Sequence, residues 1–323
     1  MKICLVKTSS IGDISHSAFI PQLICKHIPN AVIYWYCDEK FTEIIKGNPY
    51  IEKIFPVLAK NANQNKWNFI KQLFQIRKKS TLEKYDIIID LQGSFKSSLI
   101  AKALSCNKNL WGFKHTRDIF ANKTYNYHSH IPLSANIYRR NFHLINDALK
   151  LNLQNDSLTK IINIPYIHTQ VYNKSYNNPN STRKHILIFP SSSKNEKNYD
   201  EKKYKELISK LKNYTVTLLY GSSAEKDICN EIAGNTGKIH IVGGYSLENV
   251  KGLLTKMDCI IGGDTGILHI ASAIGVKNIT LYGPTPSYRT SIHMAHSISL
   301  QGNGDVNKIP VQEILQSLKL LGI

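Results

Sequence analysis

The sequence predicts an α/β protein built from two doubly wound parallel-sheet domains facing a central cleft. Three observations carry this. Short β-branched runs alternate with helical segments of 10–15 residues, the pattern of βαβ units. The alternation stops in a polar stretch near residue 170 and then restarts. The length, 323 residues, suits about two domains.

The elements follow in order. Lys2–Val6 is a short apolar strand, followed by the polar loop Lys7-Thr8-Ser9-Ser10-Ile11-Gly12-Asp13 and a helix over Ile14–Ile28. Ala31–Cys37 is β-branched and aromatic, hence a strand, and a helix over Glu39–Lys46 stops at Gly47-Asn48-Pro49. Ile51–Val57 is a strand, Trp67–Lys79 a basic helix, Tyr85–Leu91 a buried strand, Phe95–Leu104 a helix and Asn109–Phe113 a strand. Leu151–Lys184 is rich in Asn, Ser, Tyr and Pro, so the domains are set at residues 1–168 and 184–323 with a linker over 169–183. Strands then follow at His185–Phe189, Tyr214–Tyr220, Lys238–Val242, Asp258–Gly262 and Asn278–Tyr282. Helices separate them at Asp200–Leu211, Ser223–Ala233, Ser246–Met257 and Gly266–Ile274. A terminal helix over Ile309–Leu321 is free to pack back on the first domain.

Composition narrows the class. No apolar run reaches the ~18–20 residues of a membrane span, and the opening apolar run breaks at Lys7, unlike a signal peptide. Six Cys without a CxxC pair read as buried thiols of a reducing cytosol. The net charge of +18 and 17 Tyr leave a nucleic-acid binder open as an alternative, although the basic residues are scattered and no recognition motif is present. The motifs GxGxxG, GxxxxGK[ST] and GxSxG are absent, which disfavours dehydrogenases, P-loop enzymes and α/β-hydrolases. No Asp-x-Asp pair offers a divalent metal two carboxylates, so no metal site is expected.

Ligands of doubly wound sheets bind beyond the carboxyl ends of the strands. In the opening loop, Asp13 reads either as a helix cap or as a general base. In the loop Ser191–Lys197, hydroxyls and lysines suit a phosphate or a solvated turn. Glu225, after Gly221-Ser222-Ser223, reads as a ribose acceptor or as an acidic first turn. Gly262-Gly263-Asp264-Thr265-Gly266 opens a helix whose N–H groups can meet a diphosphate, with His269 one turn on.

These residues together resemble glycosyltransferase family 9, the bacterial heptosyltransferases of the lipopolysaccharide core. The resemblance is densest in KICLVKTSSIGD (Lys2–Asp13), FPSSSKNEKNYDEKKYKELI (Phe189–Ile208) and GDTGILHIASAIGVKNITLYGP (Gly263–Pro284). It implies a GT-B fold of two Rossmann-like domains, the first holding the acceptor and the second ADP-heptose, and an inverting transfer to Kdo of Kdo-lipid A. By the same resemblance Asp13 is the base. Ser192, Ser193, Lys197, Glu225, Tyr245, Asp264, Thr265, Gly266 and His269 bind the donor. Lys7, Thr8, Ser10, Gly12, Arg117 and Arg140 bind the acceptor. Another family 9 transfer, to a second heptose or a different acceptor, is the neighbouring alternative. No cofactor is implied beyond the donor substrate, and the location is cytoplasmic, on the inner face of the inner membrane. The charge then points to an anionic membrane surface rather than nucleic acid. Segment Lys60–Lys84, with Lys60, Lys66, Lys71, Arg77, Lys78, Lys79 and Lys84 against Glu83 and with Trp67, Phe69 and Phe74, reads as an interfacial helix.

Overall fold

The computed structural model describes residues 1–58, 66–82, 84–104, 109–169, 183–192, 194–234 and 239–323. Contacts divide the chain into two compact units, Met1–Ile162 and Asn163–Ile323. The divide falls ahead of the compositional boundary because Tyr166 and Ile167 both donate backbone N–H groups to Ala273 O, in the second unit. Most of the linker lies outside the described residues.

The first unit holds a six-stranded sheet: β1 (Lys2–Val6), β2 (Val32–Asp38), β3 (Lys53–Val57), β4 (Ile87–Asp90), β5 (Leu110–Phe113) and β6 (Tyr127–Ser129), in the order β3-β2-β1-β4-β5-β6. The second holds β7 (His185–Phe189), β8 (Thr215–Tyr220), β9 (Ile239–Gly243), β10 (Cys259–Gly263), β11 (Asn278–Tyr282) and β12 (Ser297–Gln301), in the order β12-β11-β10-β7-β8-β9. All these pairings are parallel. Continuous apolar strands such as Ile87-Ile88-Ile89 and His185–Phe189 are buried throughout, as strands covered by helices on both faces must be. Each order reverses once, between β1 and β4 and between β7 and β10. These switch points leave a crevice at the strand ends where a ligand can enter.

Several elements depart from the sequence expectation. The first helix begins at Ile11 rather than Ile14, so Asp13 lies inside it, and it stops at Ser15. A second helix, Ile20–His27, restarts where Pro21 fits the first turn. The helices Ile137–Leu149 and Asn155–Ile162 and the strands β6 and β12 were not anticipated. The terminal helix, Val311–Leu320, places Ile314 and Leu318 in the second unit's core beside Ile279 and Leu281. Its apolar face is thus used within its own unit.

Among the described residues no helix is long and apolar enough to cross a membrane. Cys4, Cys37, Cys229 and Cys259 are buried, outside any disulfide, and Cys25 is half-buried, while Cys106 lies outside the described residues.

Candidate functional site

The first switch point gathers the loops after β1 and β4. Lys7 follows β1 directly and is only 2% exposed. Its Nζ donates to Leu91 O, just past β4, at 3.0 Å. Ser9 N donates to Gln92 Oε1 at 3.3 Å, so the two loops are clamped twice. Gln92 is in turn fixed by buried Asp90, whose Oδ1 accepts from Gln92 N at 2.8 Å and Gly93 N at 3.2 Å, and whose Oδ2 accepts from Tyr125 Oη and Ser97 Oγ. Burial pushes the Asp90 carboxyl above its usual range against these hydrogen bonds. Burial lowers the Lys7 amine, while Asp13 and Asp90 act to raise it and Arg140 and Arg117 to lower it. Lys7, Asp13, Arg117 and Arg140 therefore share one electrostatic neighbourhood. Asp90 and Gln92 belong to it too, although nothing in their sequence context marks them.

Asp13 realises its capping reading. Ser10 N and Ser10 Oγ both donate to Asp13 Oδ2, at 3.2 and 3.1 Å, closing a capping box at the head of Ile11–Ser15. No hydrogen bond among the described residues engages Oδ1, and the residue is half-exposed. The cap and the base readings are therefore compatible: one oxygen orients the carboxylate and the other is left for chemistry. Thr8 is buried and its carbonyl accepts from Asp38 N, while Gly12 is half-buried with its carbonyl bonded to His16 N.

The two arginines differ. Arg117 is exposed on the loop after β5. Arg140 is buried on Ile137–Leu149, donates to Pro132 O at 3.1 Å and His115 O at 2.9 Å, and stacks 4.4 Å over the Phe113 ring. It braces the segment that leads to Arg117 and is itself withdrawn from solvent.

The second switch point gathers the loops after β7 and β10. Lys197, at the end of the short turn Asn195–Lys197, donates from Nζ to Asp264 Oδ2 at 2.5 Å. Gly263 makes this possible, because a Cβ there would sit 2.9 Å from Lys197 O. His269 Nε2 lies 3.0 Å from Asp264 Oδ1. Burial raises the Asp264 carboxyl, but hydrogen bonds and charge from His269 and Lys197 outweigh it and hold it well below the usual carboxylate range. An ionised carboxylate only accepts, so His269 carries its proton on Nε2.

Beside this triad, Ser191 Oγ, on a residue 3% exposed, has no hydrogen-bond partner among the described residues. Thr265 Oγ1 has none either. Thr265 caps the helix Gly266–Ile274 without a side-chain bond, leaving the N–H groups of Gly266, Ile267 and Leu268 at an open helix end. Unpartnered buried hydroxyls cost free energy unless a ligand satisfies them. Three Lys197 donors, one used here by Asp264, an open helix end and two unpartnered hydroxyls make an anion site suited to a diphosphate. Ser191 belongs to the loop whose hydroxyls suit a phosphate, but the family resemblance points to its neighbours Ser192 and Ser193 instead. Ser192 N donates to Asn198 Oδ1 at 2.7 Å, and Ser193 lies outside the described residues.

Two donor-binding candidates sit beside the switch point, Glu225 in the first turn of the helix Ser223–Ala233 and Tyr245 on a loop. Glu225 Oε2 accepts from Gly221 N at 2.6 Å and Ser222 N at 3.1 Å in a capping box, which leaves Oε1 for a ligand. Tyr245 is half-exposed between β9 and the helix Leu247–Leu254. Among the described residues no group of three or more His, Cys, Asp or Glu gathers as a metal site.

Two doubly wound units of this topology are the GT-B architecture of nucleotide-sugar glycosyltransferases. The chain is similar to E. coli heptosyltransferase WaaC with ADP, with a TM-score of 0.83, 21% identity and 99% of each chain covered. It is also similar to E. coli ADP-heptose lps heptosyltransferase II, with a TM-score of 0.78 and 21% identity over 99% of this chain and 98% of that one. The model of glycosyltransferase family 9 (heptosyltransferase) matches residues 73–321, and the chain belongs to that family. It is a glycosyltransferase. Lipopolysaccharide heptosyltransferase 1 of Campylobacter coli is 29% identical over 306 residues, covering 90% of this chain and 86% of the relative. The protein of the same name from E. coli K12 is 25% identical, with 88% of each covered.

Proposed function

We propose that this enzyme transfers a heptose from ADP-L-glycero-D-manno-heptose to Kdo of Kdo-lipid A, in lipopolysaccharide inner-core synthesis on the cytoplasmic face of the inner membrane. The observation that carries the donor half is the Lys197–Asp264–His269 triad beside two unpartnered hydroxyls and an open helix end. Structures described as heptosyltransferase WaaC with ADP and with ADP-2-deoxy-2-fluoro heptose support ADP-heptose as the donor class. Relatives named heptosyltransferase 1 and the Lys7–Asp13 loop support Kdo as acceptor.

In this mechanism Asp13, oriented at Oδ2 by Ser10, takes the acceptor hydroxyl proton on Oδ1. The hydroxyl oxygen bonds to the anomeric carbon of the heptose from the face opposite the diphosphate. The bond from that carbon to the diphosphate oxygen breaks, the configuration inverts, and ADP leaves. The departing diphosphate gathers negative charge, which Lys197 and the N–H groups of Gly266–Leu268 meet in place. Arg117, exposed on the loop after β5, supplies positive charge toward the acceptor's carboxylates, while the buried Lys7 amine holds Leu91 O and so fixes the loop that carries Asp13.

A transfer assay with purified ADP-heptose tests this. Kdo-lipid A is expected to gain one heptose mass, and an acceptor already carrying a heptose is not. Transfer only to the heptosylated acceptor would shift the assignment to the second-heptose member of the family.

A further inference from the structure

The helix Lys66–Leu82 carries two apolar stripes. Phe69 and Ile76 are buried, and Leu73 packs with them against the first unit's core. Trp67, Ile70 and Phe74 project to solvent, with Trp67 75% and Phe74 74% exposed. At 100° per residue the outer stripe lies roughly 125° from the inner one. Phe69 is therefore a core residue, which corrects its assignment to the interfacial face. Lys71 and Lys78 lie on one side of the outer stripe and Arg77 on the other, all exposed. The helix sequence contains no acid.

The outer stripe has company. The helices Lys66–Leu82, Phe95–Leu104 and Ile119–Asn122 pack side by side on one face of the first sheet. They run parallel to one another, because each returns from a parallel strand by a crossover of the same hand. Their N-terminal ends therefore share the edge at which the strands end, the edge that carries the Lys7–Asp13 loop. Phe95, Ile119 and Phe120 are exposed at two of these ends, Ile119 at 69% and Phe120 at 67%, and Phe95 N donates to Asp118 Oδ2 beside them. Lys123 lies 5.8 Å over the Phe120 ring, and Lys114 and Arg117 are exposed nearby.

We infer that Trp67, Ile70, Phe74, Phe95, Ile119 and Phe120 form a membrane-docking rim that seats the carboxyl edge of the first sheet on an anionic lipid bilayer. The inference deepens the proposed lipid-linked acceptor and rests on that reading only for its purpose. Isolated exposed apolar residues are ordinary, but five large ones at the amino ends of three adjacent helices, with Phe74 two turns further along the first and cations on both sides, fit the headgroup–acyl boundary. The apolar residues enter the boundary and the lysines and arginines pair with lipid phosphates. A rim at the mouth of the acceptor loop lets the sugar head of a glycolipid reach Asp13 while its acyl chains stay in the bilayer.

The test is flotation of the full chain with vesicles of phosphatidylglycerol and phosphatidylcholine, and of phosphatidylcholine alone, both free of Kdo. Binding is expected on the anionic vesicles and should fall about tenfold in high salt. Trp67→Ser with Phe74→Ser, and separately Ile119→Ser with Phe120→Ser, should each cut the bound fraction at least fivefold, with transfer to a delipidated Kdo acceptor within twofold of wild type. Tryptophan emission should shift to the blue on vesicles and the shift should be lost in the Trp67→Ser variant, because Trp35 is fully buried and Trp111 half-buried while Trp67 is exposed. Undiminished flotation of both double variants would overturn the rim. So would light scattering in which wild type is a dimer, the variants are monomers and neither floats, since the rim would then be covered by a second copy. Flotation without transfer would instead count against the proposed reaction and leave the rim standing.

Discussion

Asp264→Asn tests the donor-site electrostatics in isolation. The carboxylate accepts from Lys197 Nζ at 2.5 Å and faces His269 Nε2 at 3.0 Å, on a residue 7% exposed. An amide keeps the shape and one acceptor oxygen but loses the charge. A hydrogen bond to a charged group contributes about 1.5–3 kcal/mol net, so the loss is about 2 kcal/mol at pH 7. That is roughly 30-fold in the local opening equilibrium. The three Trp residues, Trp35, Trp67 and Trp111, all lie in the first unit, so tryptophan emission is blind to this change. Hydrogen exchange of Cys259–Gly263 reads it directly, and these amides should exchange about 30-fold faster in the variant. The pH dependence has a definite sign. The folded carboxyl titrates below its unfolded value of about 3.9, so its contribution is complete above that pH and is lost as pH falls toward the folded value. The gap between wild type and variant should therefore be full at pH 7 and shrink below about pH 4. Equal exchange at pH 7, or a gap undiminished in acid, would refute the reasoning.

Other perturbations separate the remaining parts. Gln92→Ala removes the acceptor for Ser9 N, a hydrogen bond contributing about 1 kcal/mol, and should lower kcat about fivefold with donor KM unchanged in steady-state transfer assays. Gly263→Ala places a Cβ 2.9 Å from Lys197 O, a backbone contact that cannot yield cheaply. It should weaken ADP binding about tenfold by calorimetry. Tyr125→Phe removes one of four hydrogen bonds to buried Asp90 and should cost about 1–3 kcal/mol in urea unfolding of the first unit, followed by tryptophan emission.

Much of the architecture is legible because fully buried parallel strands leave continuous apolar runs, as in β4, β7 and β10. Edge strands leave weaker marks: β6 is three residues long and β12 alternates Ser with Ile and Leu. The helix Ile137–Leu149 hides because buried Arg140 and Asn141 interrupt its apolar stripe. The strand-end loops are legible as loops, and Lys197, Asp264 and His269 do converge. Which loops become neighbours is not legible, since it depends on strand order. Asp90 and Gln92 matter because β4 lies next to β1, and Ser191 because β7 lies next to β10. Glu225 and Asp13 show a different limit. In each the carboxylate caps its helix with one oxygen and leaves the other outside the cap, a division that residue type and spacing do not show.

The proposed mechanism depends on Asp13 as the base for heptose transfer to Kdo. Mass-resolved transfer from ADP-heptose to Kdo-lipid A by Asp13→Asn tests it most directly, with ADP-heptose affinity measured on the same protein. Asparagine keeps an acceptor for Ser10 but cannot take the proton. Turnover should fall at least 100-fold while ADP-heptose binds within twofold of wild type. Turnover within a few fold of wild type would remove Asp13 from the chemistry and contradict the account.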